Sequence, residues 1–111
     1  MDTETTIARI RALNDIARQC PFGGDLYITR GIASLPPNEQ ADILQCVRTF
    51  NDFTEDNDPH GEHDFGSFGH KGRTIFWKID CYDLLLNNGS PDPSDPAVTR
   101  RVLTVMLAEE Y

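Results

Sequence analysis

Positive charge is scarce in this sequence. Ten Lys and Arg stand against eighteen Asp and Glu, giving a net charge of −8. The shortage is local. Residues 1–48 carry five basic and six acidic side chains, whereas residues 49–111 carry five and twelve. Between Thr49 and His70 there is neither Lys nor Arg. Direct nucleic-acid binding requires cations clustered against phosphates, and no such cluster exists here.

Long apolar runs are missing as well. No stretch reaches the roughly 18 residues that a membrane-spanning helix needs. Met1 to Arg18 alternates charged and apolar residues in a way that does not resemble a secretory leader, so a cytoplasmic protein is expected. Cysteine is sparse: Cys20, Cys46 and Cys81 are widely spaced and form no C-x-x-C pair. That excludes a disulfide framework and a cysteine-rich zinc site, and each is expected to be a buried free thiol. There is no glycine-rich phosphate loop, no G-x-S-x-G and no cysteine in an activating context.

What is present is enough for one folded domain over residues 1–111, with 39 % apolar residues and ten aromatics. Thr3 to Arg18 reads as a helix capped by Asp2 or Thr3 and closed by Pro21 and Gly23-Gly24. Its apolar stripe is Ile7, Ile10, Leu13, Ile16 and Ala17, with Arg9, Arg11, Asp15 and Arg18 outside it. Asp25 to Arg30 reads as a strand, Gly31 to Pro36 as a connection, and Pro37 to Asn51 as a second helix with proline at its start. His63 to Phe68 and Arg73 to Tyr82 read as two strands joined by the turn Gly69 to Gly72. On the longer one Ile75, Trp77, Ile79 and Cys81 face one way, and Thr74, Phe76, Lys78, Asp80 and Tyr82 the other. Leu84-Leu85-Leu86 is a short apolar element closed by a turn, and Ser90 to Pro96 a proline-stiffened connector. The spacing of Val98, Val102, Leu103, Val105, Met106 and Leu107 predicts a closing helix that starts at Asp95-Pro96. The fold class is therefore α+β, a small, mostly antiparallel sheet of about three strands covered by about three helices.

The richest chemistry lies in Asp56 to Gly66, where acids, histidines and turn residues are packed together. With Asp56 as first ligand of an EF-hand loop, Asp58 and Gly61 fall correctly, but His60 and Ser67 stand where oxygen ligands belong, the second in place of a bidentate Glu. His60 and His63 are three apart with Glu62 and Asp64 beside them, a composition that permits a transition metal. The glycine between them, however, spoils a helical ligand face. No metal or other cofactor is assigned. A metal-free acid–base site would use Glu62, His63, Asp80 and Asp83, with Lys78 and Tyr82 nearby. The competing structural use is that His63 and Asp64 hydrogen-bond the loop's backbone and fix its shape.

The chain resembles a bacterial family of small proteins, the domain of unknown function family 3768, over nearly its whole length. The resemblance rests on Thr29-Arg30-Gly31, Asp56-Asn57-Asp58-Pro59, Gly61 to Gly66, Phe76 to Asp80, Tyr82-Asp83, Gly89 to Pro93, Thr99 to Leu103 and Met106 to Tyr111. It implies no established activity. The family's pattern has tyrosine where this chain has His60 and Cys81, which turns attention to Glu62, His63 and Asp64. It also implies a context, that of small products of alphaproteobacterial accessory DNA. Such proteins are similar in kind to antagonists of host defence or nucleic-acid machinery, CRISPR effectors included.

The leading expectation is a non-catalytic, acidic module that occupies a basic surface on a protein partner. Asp52, Glu55, Asp56, Asp58 and Glu62 would supply charge together with Lys78, and Phe76, Tyr82 or Phe53 an apolar anchor. The alternative is a small, metal-assisted enzyme built on Glu62, His63, Asp64 and Asp80.

Overall fold

A computed structural model describes residues 3–20 and 25–111. The cap at Asp2 and the helix stop at Pro21 and Gly23-Gly24 lie outside the described residues. The elements are α1 (Thr3–Gln19), β1 (Asp25–Ile28), α2 (Arg30–Ala33), α3 (Pro37–Thr49), β2 (Phe65–His70), β3 (Arg73–Tyr82) and β4 (Arg100–Leu107), followed by a 3-10 turn, Ala108–Glu110. The class is α+β. The strands form one sheet in the order β1-β4-β3-β2, with four strands rather than three. It is mixed: β1 runs parallel to β4, and the other pairs are antiparallel.

The largest departure from the sequence reading is β4. The expected closing helix is a strand paired on both sides, to β1 through Asp25↔Val102 and to β3 through Ile79↔Leu103. β4 is apolar on both faces, with Leu103, Val105 and Leu107 on the covered side and Val102 and Met106 on the other, so together these residues imitate a wide helical face. The β-branched Val102, Thr104 and Val105 favour the extended form, and the alternation of buried Arg101, Leu103, Val105 and Leu107 realises it. A second departure is α2, one helical turn that takes Arg30 from the end of the expected strand, which stops at Ile28, and runs into what reads as a connection.

The β2–β3 hairpin turns on Lys71 (φ 49°) and Gly72 (φ 80°), two positive dihedrals as a type I′ turn requires. From β3, Ile75, Trp77 and Ile79 enter the core and meet Leu103, Val105 and Leu107 of β4, Ile32 of α2, and Ile43 and Val47 of α3. The helical layer thus covers one face of the sheet. Phe76, Lys78, Asp80 and Tyr82 project from the other, where Phe65, Phe76 and the terminal Tyr111 pack edge to face with centroids 5.2–6.1 Å apart.

The thiols are not uniformly buried: Cys20 and Cys46 are exposed and Cys81 is half-buried. Cys20 follows the end of α1, and Cys46 lies on the outer side of α3 between buried Ile43 and Val47. Among the described residues no helix is long and apolar enough to cross a membrane.

Candidate functional site

The segment from Phe50 to Asp64 leaves α3, crosses the polar side of α1 and enters β2, and its shape is fixed from within and from below. Within it, the Asn57 side chain donates to the Asp52 carbonyl (2.7 Å) and accepts from the Thr54 amide (2.8 Å), while the Asp58 amide donates to the Thr54 carbonyl (2.8 Å). Asp58 then accepts the His63 amide through Oδ1 (3.2 Å). Gly61 (φ 69°) and His63 (φ 55°) take left-handed backbone, which a loop this tight requires twice.

From below, α1 supplies a row of polar side chains. Arg11 Nε donates to the Gly61 carbonyl (2.6 Å), and Asn14 Nδ2 to the Glu62 carbonyl (3.0 Å). Asp15 Oδ1 meets His63 Nδ1 at 2.8 Å and Arg18 Nη2 at 3.0 Å. Asp58 Oδ2 faces the other ring nitrogen, Nε2, at 3.6 Å. The ring also stacks on Phe53, with centroids 3.7 Å apart and planes 5° from parallel. His63 is therefore hydrogen-bonded at Nδ1, stacked on one ring face and turned with Nε2 toward the buried Asp58 carboxylate, an arrangement that fixes the loop.

Arg18, 3 % exposed, extends the chain of contacts. It donates to the Val47 and Phe50 carbonyls (2.9 Å each) at the C-terminal end of α3, and its guanidinium lies 5.1 Å from the Trp77 ring centre. A cation there meets the negative end of a helix as well as the Asp15 carboxylate. Asn14, 1 % exposed, also accepts from Arg101 Nε (2.7 Å), and Arg101 in turn donates to the Pro93 carbonyl. Asn14, Asp15, Arg18 and Arg101 are the residues that sequence reasoning missed. The signal for them would have been a helix whose polar side is covered, and periodicity cannot reveal a cover that arrives 48 residues later.

The candidate residues divide into groups. Asp58 is buried (9 % exposed) and turned inward, which removes it from any partner surface. Phe53 is half-buried, with its ring packed on Phe50, Trp77 and His63. Glu62 and Asp64 are half-buried. Burial, then the neighbouring Asp64, pushes the Glu62 carboxyl above its usual range; burial likewise raises Asp64. Asp80 pairs with Lys78 at 2.8 Å on the open sheet face, and this hydrogen bond raises Lys78. Glu62, His63, Asp64 and Asp80 do not form one centre: His63 turns to α1, and Asp80 lies on the far side of the sheet from it. Among the described residues no three His, Cys, Asp or Glu side chains are grouped to hold a metal ion.

Asp52, Glu55 and Asp56 remain. All three are exposed, and none forms an ion pair among the described residues. Beside them a cleft of about 440 Å³ opens between α1 and the loop, lined by Ile7, Arg11, Glu55, Pro59, His60 and Gly61. Phe76, Lys78 and Tyr82 sit on the opposite face of the sheet, so the expected single surface of loop acids and strand residues is split in two.

The chain is thus an α+β domain, a small mixed sheet under one helical layer with a loop braced through His63. The family described as Protein of unknown function (DUF3768) matches residues 28–110, and the chain belongs to it. No curated protein and no solved structure matches.

Proposed function

We propose that this is a non-catalytic, acidic binding module that engages a basic surface on a protein partner, acting in the cytoplasm. The observation that carries the proposal is a contrast within one loop. Asn57, Asp58, His63 and the α1 side chains hold its backbone, while Asp52, Glu55 and Asp56 are exposed and form no ion pair among the described residues. A preformed acidic tip loses little entropy on binding, and its field speeds encounter with a positive partner. Such a module fits an antagonist that covers the basic surface of a nucleic-acid-handling defence complex, for example as an anti-CRISPR protein.

The test is titration with an oligolysine peptide at several salt concentrations. The wild-type chain is expected to bind with an affinity that falls steeply with salt. The variant carrying Asp52→Lys, Glu55→Lys and Asp56→Lys is expected to fold normally and bind at least about tenfold more weakly with a flatter slope. Equal affinity and slope in the two proteins would reject the proposal. An enzyme reading draws on Glu62 and Asp64, whose carboxyls are raised as those of functional acids often are.

A further inference from the structure

Three consecutive leucines follow β3, and none is in the core. Leu84, Leu85 and Leu86 are 54 %, 79 % and 42 % exposed. Leaving three adjacent apolar side chains in water forgoes the stabilisation that their burial would bring. The backbone adds a second departure: Leu86 has φ 59°, a left-handed conformation that a γ-branched residue seldom takes and that Gly or Asn would occupy with less strain.

The turn nonetheless has a defined shape. The Leu86 amide donates to the Asp83 carbonyl (3.1 Å), the Asp83 amide to the Asn88 carbonyl (2.9 Å) and the Asn87 amide to the Asp83 carboxylate (2.9 Å). An isolated bridge between Tyr82 and Gly89 closes its base. The leucines are thus held outward by ordered backbone.

We propose that the Leu84–Leu86 turn is the apolar anchor by which this chain seats in a pocket ringed by basic side chains on a partner protein. The inference rests on the acidic-module reading for the partner's charge, but it uses different residues. Interfaces concentrate their energy in a few apolar anchors inside a polar rim, and two of the anchors expected from the sequence are already packed within the chain. Phe53 is packed on Phe50, and Phe76 against Phe65 and Tyr111. Charge selects the partner. Asp83, next to Leu84, forms no ion pair among the described residues, and the two cations that flank the turn, Lys78 and Arg100, are already paired with Asp80 and Asp25. Such surroundings repel anionic lipid and nucleic acid and suit a basic rim. Position agrees: the braced loop enters β2 opposite Lys78 and the turn leaves β3 at Tyr82, so both emerge at the same end of the sheet.

The experiment compares two synthetic peptides of equal charge, one of lysine alone and one alternating leucine with lysine, by calorimetric titration. In the wild type the leucine-containing peptide is expected to bind at least about tenfold more tightly than oligolysine. Leu84→Ser with Leu85→Ser should abolish that advantage while leaving oligolysine affinity and the unfolding midpoint unchanged, because both side chains are exposed. Equal affinity of the two peptides for the wild type, or an advantage that survives in the variant, overturns the proposal. Binding to uncharged phosphatidylcholine vesicles that the double variant loses would assign the turn to lipid and overturn it. A dimer in light scattering that the variant loses would assign it to a second copy and overturn it too. Failure of the loop reading shows separately, as oligolysine binding that is absent or indifferent to Asp52, Glu55 and Asp56.

Discussion

Asp15 and His63, 48 positions apart, meet at 2.8 Å and tie α1 to the loop that precedes β2. His63 lies inside the span matched by the family, whereas Asp15, with Arg11, Asn14 and Arg18, lies before residue 28. The loop's geometry therefore depends on a helix outside that span.

This dependence predicts coupling. His63→Ala alone and Asp15→Ala alone should each lower stability, the second more because it also strips buried Arg18 of its carboxylate partner. The double variant should cost less than the sum of the two, by about 0.5–3 kcal/mol, in denaturant unfolding. Additive losses would mean that the contact contributes nothing.

Gly66 predicts a packing failure. A Cβ at that position would lie 2.4 Å from Trp77 Nε1 and 2.6 Å from Cε2, and Trp77 is fully buried. Gly66→Ala should destabilise by about 1–3 kcal/mol or abolish folding, since neither the strand nor the indole has room to retreat. A variant as stable as the wild type would show that β2 and Trp77 are less closely packed than this.

Glu62 and Asp64 predict the sign of a pH effect. Burial raises both carboxyls, so the folded protein holds these protons more tightly than the unfolded chain does. Their contribution favours folding below the usual carboxylate range. It is lost as pH rises through the raised folded values, leaving a net cost near neutrality. Glu62→Gln with Asp64→Asn should therefore exceed wild-type stability at about pH 7, by less than about 1 kcal/mol because both groups are partly solvated, with the gain shrinking toward about pH 3. A gain that grows as pH falls would contradict the assignment.

How far the sequence could be read follows from the range of the forces involved. The alternation along β3 is a local record of burial on one face, and the strand's bounds, Arg73 and Tyr82, are those expected from it. The start of α3 at Pro37 was likewise written in local chemistry. β4 departs from the expected helix because its residues are apolar on both faces, Leu103, Val105 and Leu107 on the covered side and Val102 and Met106 on the other, so the sequence lacks the apolar–polar alternation that identifies a strand. The sequence places Asp15 and Arg18 outside the apolar stripe of α1, and nothing near Asn14, Asp15 or Arg18 announces that a distant loop will cover that side. Ile16, placed in the apolar stripe, is 55 % exposed, while Asn14 is 1 % exposed. The density of acids and histidines at 56–66 was a sound pointer to a special loop. Whether each group served shape or chemistry could be decided only once Asp15 and Phe53 were in place beside His63.

The central claim is that the loop holds its shape without a partner, and amide hydrogen exchange on the free protein tests it most directly. The amides of Thr54, Asp58, Gly61 and His63 each have an acceptor inside the loop. They are predicted to exchange well below the unprotected rate in the wild type and to lose protection together in His63→Ala. Exchange at the unprotected rate in the wild type would contradict a preformed acidic tip, and binding would then have to order the loop.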